Sequence, residues 1–164
     1  MATATSGTAR VTLPGETQIH VTRDFNAPKD LVYRALTEPD LIRGWWNAKR
    51  GEVTVCDVDL RAGGNWRYVM VTPDGTEVAF HGTYREIVPN ERLVYTEVFE
   101  MPGVTDDDAT VNTVTLEEID GRTTMTSVTE CHVAEVRDMI IATGMEAGMQ
   151  DAYDLLEELA IGLR

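Results

Sequence analysis

Six short segments in which apolar and polar residues alternate stand in series between two helical stretches, and this order leaves the chain few ways to bury an apolar face. They run over about 52–60, 65–72, 77–88, 92–100, 110–119 and 123–132. Turn chemistry separates them, at Gly63-Gly64, Pro73-Asp74-Gly75, Pro89-Asn90, Pro102-Gly103 and Asp120-Gly121. Short connections make sequential strands hairpin neighbours, because a parallel crossover needs a dozen residues or more. An earlier segment alternates in the same way, with Ile19, Val21 and Phe25 opposite His20, Thr22 and Asp24. The expectation is therefore a curved antiparallel sheet of seven strands in consecutive order.

Two short helices are expected between the first strand and the second. Asn26 is a capping residue ahead of Pro28, and Leu31, Val32, Ala35 and Leu36 form one apolar stripe. Thr37-Glu38-Pro39-Asp40 repeats the start signal, with acids at the positive end of the dipole, and leads into Leu41, Ile42, Trp45 and Trp46. After the last strand the helical period returns. Ile141, Met145, Met149, Ala152, Leu156, Leu159 and Leu163 recur at spacings of three and four, with a break expected near Gly144. One sheet cannot bury its apolar face alone, so this long helix must cover it, which makes the fold class α+β.

Residues 1–14 are small and polar and read as a tail, with residues 15–164 as one domain. The net charge of −14 disfavours nucleic acid and anionic membrane as partners, since both are recognised by clustered Lys and Arg. No apolar run is long enough to span a bilayer and no secretory signal core is present, so a cytoplasmic protein is expected. Cys56 and Cys131 read as reduced core thiols, and the three histidines lie on separate strands, so neither metal nor cofactor is expected. Asp106-Asp107-Asp108 lacks the spaced ligands of a calcium loop and reads as a solvated turn.

Four stretches in order carry a resemblance to a known family: RDFNAPKDLVYRALTEPDLIRGWW at 23–46, DLRAGGNWRYVM at 59–70, FHGTYREIVPNERLVYTE at 80–97 and TGMEAGMQDAYDLLEELA at 143–160. The chain resembles the activator of Hsp90 ATPase-like branch of the SRPBCC superfamily, the START and birch-pollen-allergen fold. The resemblance implies the helix-grip fold, which agrees with the element order derived above. It implies function less narrowly, because the superfamily holds lipid and steroid binders, polyketide cyclases and a co-chaperone domain.

A twisted seven-stranded sheet is wider than one helix, so a cavity is expected between them, closed on one side by the helices that carry Trp45 and Trp46. Alternation alone leaves open which strand face is inward. With Trp66, Tyr68 and Met70 inward on one strand and Phe80, Gly82 and Tyr84 inward on another, Tyr95, Met145 and Met149 complete the wall. Among titratable groups near this site, His81 falls on the opposite face from Phe80 and Tyr84, Glu86 shares the face of Tyr84, and Glu97 lies on the next strand.

Three functions follow as alternatives. The first is binding of a small apolar ligand without catalysis. The second is a cyclase- or dehydratase-like enzyme that moves protons with Tyr84 and Glu86. The third, a chaperone-interacting module, comes from the resemblance alone. A homodimer is compatible with each, through exposed strand edges.

Overall fold

The computed structural model describes residues 8–163. Eight strands appear in chain order: β1 (Arg10–Thr12), β2 (Gln18–Phe25), β3 (Glu52–Val58), β4 (Asn65–Val71), β5 (Glu77–Val88), β6 (Arg92–Phe99), β7 (Thr110–Ile119) and β8 (Arg122–Glu130). Helices α1 (Lys29–Thr37) and α2 (Pro39–Ile42) lie between β2 and β3, and α3 (Ala134–Ala142) and α4 (Met145–Gly162) follow β8. All neighbouring strands pair antiparallel, in the order β1-β2-β8-β7-β6-β5-β4-β3.

Two features correct the sequence reading. Arg10–Thr12, inside the expected tail, forms an additional strand against β2, so the sheet has eight strands and not seven. Three residues are too few to show an alternation. Residues 1–7 of that tail lie outside the described residues. The second correction concerns order: β2 pairs with β8 over its whole length, from Gln18↔Glu130 to Phe25↔Thr123, while β3 sits at the far edge. The chain through α1 and α2 carries it from one side of the sheet to the other, and only β3 to β8 form the consecutive meander.

The second helix is also shorter than expected. Helix α2 ends at Ile42, and Ala48 and Lys49 adopt positive φ of 50° and 64°, so Trp45 and Trp46 stand on a tight turn after the helix. Gly144 breaks the C-terminal helical region at φ 80°, a left-handed value that costs glycine little.

The main core joins Phe25 and Ala27, Val32 and Ala35 of α1, Ile42, Leu116, Met125, and Leu156 and Ala160 of α4. Helix α4 is fastened toward the β1–β2 side by polar contacts. The Arg23 guanidinium, fully buried, donates to Asp154 at 2.7 Å and lies 3.4 Å from the equally buried Glu157. Glu157 also accepts from the Asn26 backbone N–H at 2.8 Å, and Gln150 exchanges two hydrogen bonds with the backbone of Ala9. Phe25 meets Tyr153 edge to face at 6.0 Å. Along this seam Met149 packs against the small cluster of Ala9, Ile19, Val21 and Cys131.

Removing one partner of a buried charge group leaves the others desolvated and unmatched. Arg23→Ala is expected to destabilise the fold by about 3–5 kcal/mol, read from the urea midpoint; a loss within about 0.5 kcal/mol would show that the clamp is not needed.

Candidate functional site

Strands β4, β5 and β6 turn their inner faces toward the turn after α2, and a cavity of about 80 Å³ remains between them. It is lined by Leu36, Trp45, Trp46, Trp66, Tyr68, Tyr84, Leu93, Tyr95, Glu97 and Val114. Period-2 geometry accounts for the wall contributed by β6, where Leu93, Tyr95 and Glu97 share one face.

Register and close packing place the rings. Trp66 pairs across with Gly82, and Tyr68 with Phe80. A Cβ at position 82 would stand 1.8 Å from the Thr96 carbonyl oxygen and 2.7 Å from the Trp66 indole nitrogen, so only glycine fits there. The Trp66 Nε1–H donates to that same Thr96 carbonyl at 3.2 Å. Trp45 is held by a hydrogen bond from Nε1 to the Ala35 carbonyl at 2.7 Å, whereas Trp46 meets Tyr68 and Phe80 edge to face at 5.5 and 5.7 Å. Trp66 crosses Tyr95 at 90°, and Tyr84 crosses Tyr95 at 69°.

Burial in this apolar space acts on the titratable groups in one direction, by penalising the charged form. It raises the Tyr68 and Tyr95 phenols well above their ordinary range and Tyr84 to about 12. Glu97 is raised to about 7 by desolvation. Its side chain is half-buried by surface area because part of it faces the cavity, yet no hydrogen bond or ion pair to the carboxyl is found among the described residues.

The structure brings Trp45, Trp46, Trp66, Tyr68, Tyr84 and Tyr95 to this cavity and leaves other expected residues outside it. Met70 packs against the main core, and Phe80 stacks on Phe99 at 4.9 Å beyond the lining. Met145 and Met149 do not reach it, because the polar seam draws α4 toward β1 and β2. Glu86 is corrected too. A register irregularity between Tyr84 and Glu86 in the β5–β6 pairing shifts the alternation by one residue, so Glu86 faces out and pairs with Arg92 at 3.2 Å. The carboxyl that stands with the tyrosines is Glu97, and the signal for it was its spacing of two from Tyr95 on one strand.

On the outer face, His81 bridges two carboxylates, with Nδ1 2.9 Å from Glu100 and Nε2 2.6 Å from Asp106. Arg67 grips Glu100 with two bonds of 2.8 and 2.9 Å, which together with His81 holds that carboxyl down at about 2. His81 is accordingly raised from its ordinary value by Asp106 and Glu100. Cys56 and Cys131 are buried free thiols, and Asp106–Asp108 form a single exposed 3-10 turn capped by Thr105. Among the described residues no group of His, Cys, Asp and Glu is placed to hold a metal, and no helix is long and apolar enough to cross a membrane.

An antiparallel sheet closed by a C-terminal helix, with a cavity between the sheet and a helix-turn insertion after the β2 strand, defines the helix-grip class. Within it, the chain belongs to the activator of Hsp90 ATPase homolog 1-like family, whose model matches residues 26–160. A crystal structure of a protein from Rhodobacter sphaeroides is similar at 26% identity and TM-score 0.86, over 95% of this chain and 99% of that one. One from Chromobacterium violaceum is similar at 28% identity and TM-score 0.77, over 88% and 96%. An AHSA1-like protein from Aeromonas hydrophila, at 22% identity and TM-score 0.66 over 88% and 95%, shares the fold. No curated protein matches the chain.

Two expected outcomes test this geometry. Gly82→Ala forces a backbone collision and is expected to cost about 1–3 kcal/mol or more, with a matching fall in Tm; an unchanged Tm would mean that the strands can part without cost. The second concerns pH. Between the unfolded value near 4.5 and the folded value of about 7, the folded state keeps the Glu97 proton that the unfolded state has lost, so this group lowers stability as pH rises through that window. Glu97→Gln removes the penalty, and the variant is expected to gain more stability over the parent at pH 8 than at pH 5. Equal differences at both pH values would place the carboxyl in water.

Proposed function

We propose that the protein binds a small, largely apolar molecule in the cavity between β4–β6 and the turn after α2. The observation that carries this reading is the unfilled aromatic space with one carboxyl on its wall that has no partner among the described residues. A partly desolvated carboxyl without a protein partner costs stability, and a ligand that matches it recovers that cost while its apolar surface leaves water. The family and the fold support a ligand-binding reading at the level of the class.

The cavity limits the size of what enters it. About 80 Å³ is roughly half the volume of an apolar cavity that takes up benzene, so it suits one chemical group and not a whole steroid or lipid.

A catalytic reading in the same space rests on a different carboxyl from the one expected. Glu97, held near neutrality beside Tyr68, Tyr84 and Tyr95, has the pKa that general acid–base chemistry favours, while Glu86 lies outside. Glu97→Gln would then abolish turnover of a substrate whose binding it leaves intact.

The deciding experiment is native mass spectrometry of gently purified protein with extraction of any adduct, alongside NMR under xenon pressure. A discrete small adduct, or xenon-induced shifts confined to Leu36, Leu93 and Val114, is expected. A bare mass together with unshifted methyl resonances would overturn the reading and return the space to plain core.

A further inference from the structure

We propose that the cavity receives the ammonium head of a small organic cation, held between the aromatic rings of its wall and the carboxylate of Glu97. This inference rests on the ligand-binding reading above and names the chemistry of the ligand.

The wall supplies attraction for positive charge from two sources. An aromatic ring carries negative potential on its face, and several rings around one space form a cage for ammonium groups. Here Trp46 meets Tyr68 at 67°, Tyr84 meets Tyr95 at 69° and Trp66 meets Tyr95 at 90°, and all five line the cavity. Mutual angles this steep keep these pairs from stacking flat on one another, so their π systems border the space from several directions. The second source is Glu97, which is the only Asp, Glu, Lys, Arg or His in the described lining.

Among the described residues, the titratable groups around Glu97 are phenols. Tyr95 on its own strand, Tyr153 on α4, and Tyr68 and Tyr84 across the cavity are all phenols raised by burial. Arg23, the guanidinium that acts on Tyr153, is engaged by Asp154 and Glu157. Among the described residues no cation offsets the Glu97 carboxylate, so a cationic ligand would find it uncompensated. An anionic ligand would be repelled. A neutral acceptor could use a protonated Glu97 but would gain nothing from the ring faces, whereas a cation uses both. The net charge of −14 further raises the local concentration of cations.

The cavity's small volume fits a head of a few carbon atoms around nitrogen, with any longer body directed out of it. Charge linkage then fixes the sign of the pH dependence. With Glu97 held at about 7 in the empty site, a cation must displace its proton at lower pH, so affinity rises by up to about tenfold per pH unit from 5 to 7 and levels off above.

The test compares choline with 3,3-dimethylbutan-1-ol, its uncharged carbon counterpart, by calorimetric titration of the full chain at pH 6 and pH 8. Choline is expected to bind at least about tenfold tighter than the alcohol at pH 8, and more weakly at pH 6. Glu97→Gln is expected to lose that preference and the pH dependence together. Tyr95→Leu, which keeps the carboxyl, is expected to weaken choline more than the alcohol. Retention of the protein by phosphatidylcholine vesicles would assign the head to a lipid, and binding of free choline without retention to a soluble amine; both support the inference. Equal or tighter binding of the alcohol, or binding that tightens as pH falls, overturns the cation and leaves the cavity reading standing. Binding of neither probe while xenon still enters overturns the inference alone, and exclusion of xenon as well removes both.

Discussion

The buried pair of Arg23 and Glu157, with the partly exposed Asp154 beside it, decides where the C-terminal helix lies, and the cavity follows from that position. Desolvated charges hold their geometry closely, because any movement that separates them leaves one uncompensated. Together with the Gln150 bonds to Ala9 and the Glu157 bond to Asn26, they commit α4 to the β1–β2 side of the sheet. An eight-stranded sheet is too wide for one helix so placed. The inner face of β4 to β6 is left for side chains to fill, and the sequence places its largest rings there.

Those rings pack by contacts that constrain one another. Trp66 can lie against β5 only because residue 82 has no Cβ, and its indole N–H then finds the Thr96 carbonyl on β6. The indole N–H groups of Trp45 and Trp66 are both matched by backbone carbonyls within the protein. Glu97 is the exception. Its carboxyl lines the half-open space that the rings create and has no donor among the described residues, so desolvation is the cause that raises its pKa. A core built for stability alone would favour an apolar residue there, since a partly desolvated carboxyl without a protein partner costs free energy.

Much of the fold was legible because its signals are local. The turn chemistry between strands and the break at Gly144 act over a few residues, and α1 and α2 both start close to the expected places, although Pro28 and Glu38 stand at their N-caps in place of the expected Asn26 and Thr37. The family resemblance carried by residues 23–46, 59–70, 80–97 and 143–160 agrees with the family match over residues 26–160. What the sequence did not show is non-local. Arg10–Thr12 becomes a strand only because β2 offers an edge, and the β2–β8 pairing joins residues about a hundred positions apart. Glu86 was misplaced by the irregularity at the β5–β6 pairing, because alternation assumes an unbroken register and one shifted residue reverses inside and outside. Met145 and Met149 were misplaced because helical periodicity gives a stripe without saying which strands it faces. Glu97 was within reach, two residues from Tyr95 on the same strand, and alternation applied from Tyr95 places it on the wall.

The family leaves the occupant open, and the most informative property of the site is that desolvation raises the Glu97 carboxyl to about 7, within the physiological range. Such a group takes its charge from whatever enters beside it. A cation would hold it as carboxylate, a neutral acceptor as acid, and a substrate that exchanges protons would pass it between the two. These occupants require the same wall, and they differ only in where the Glu97 proton resides when the cavity is full. That proton is therefore the quantity that separates a receptor for organic cations from a binder of neutral molecules and from an enzyme, and it can be followed whatever the natural ligand is.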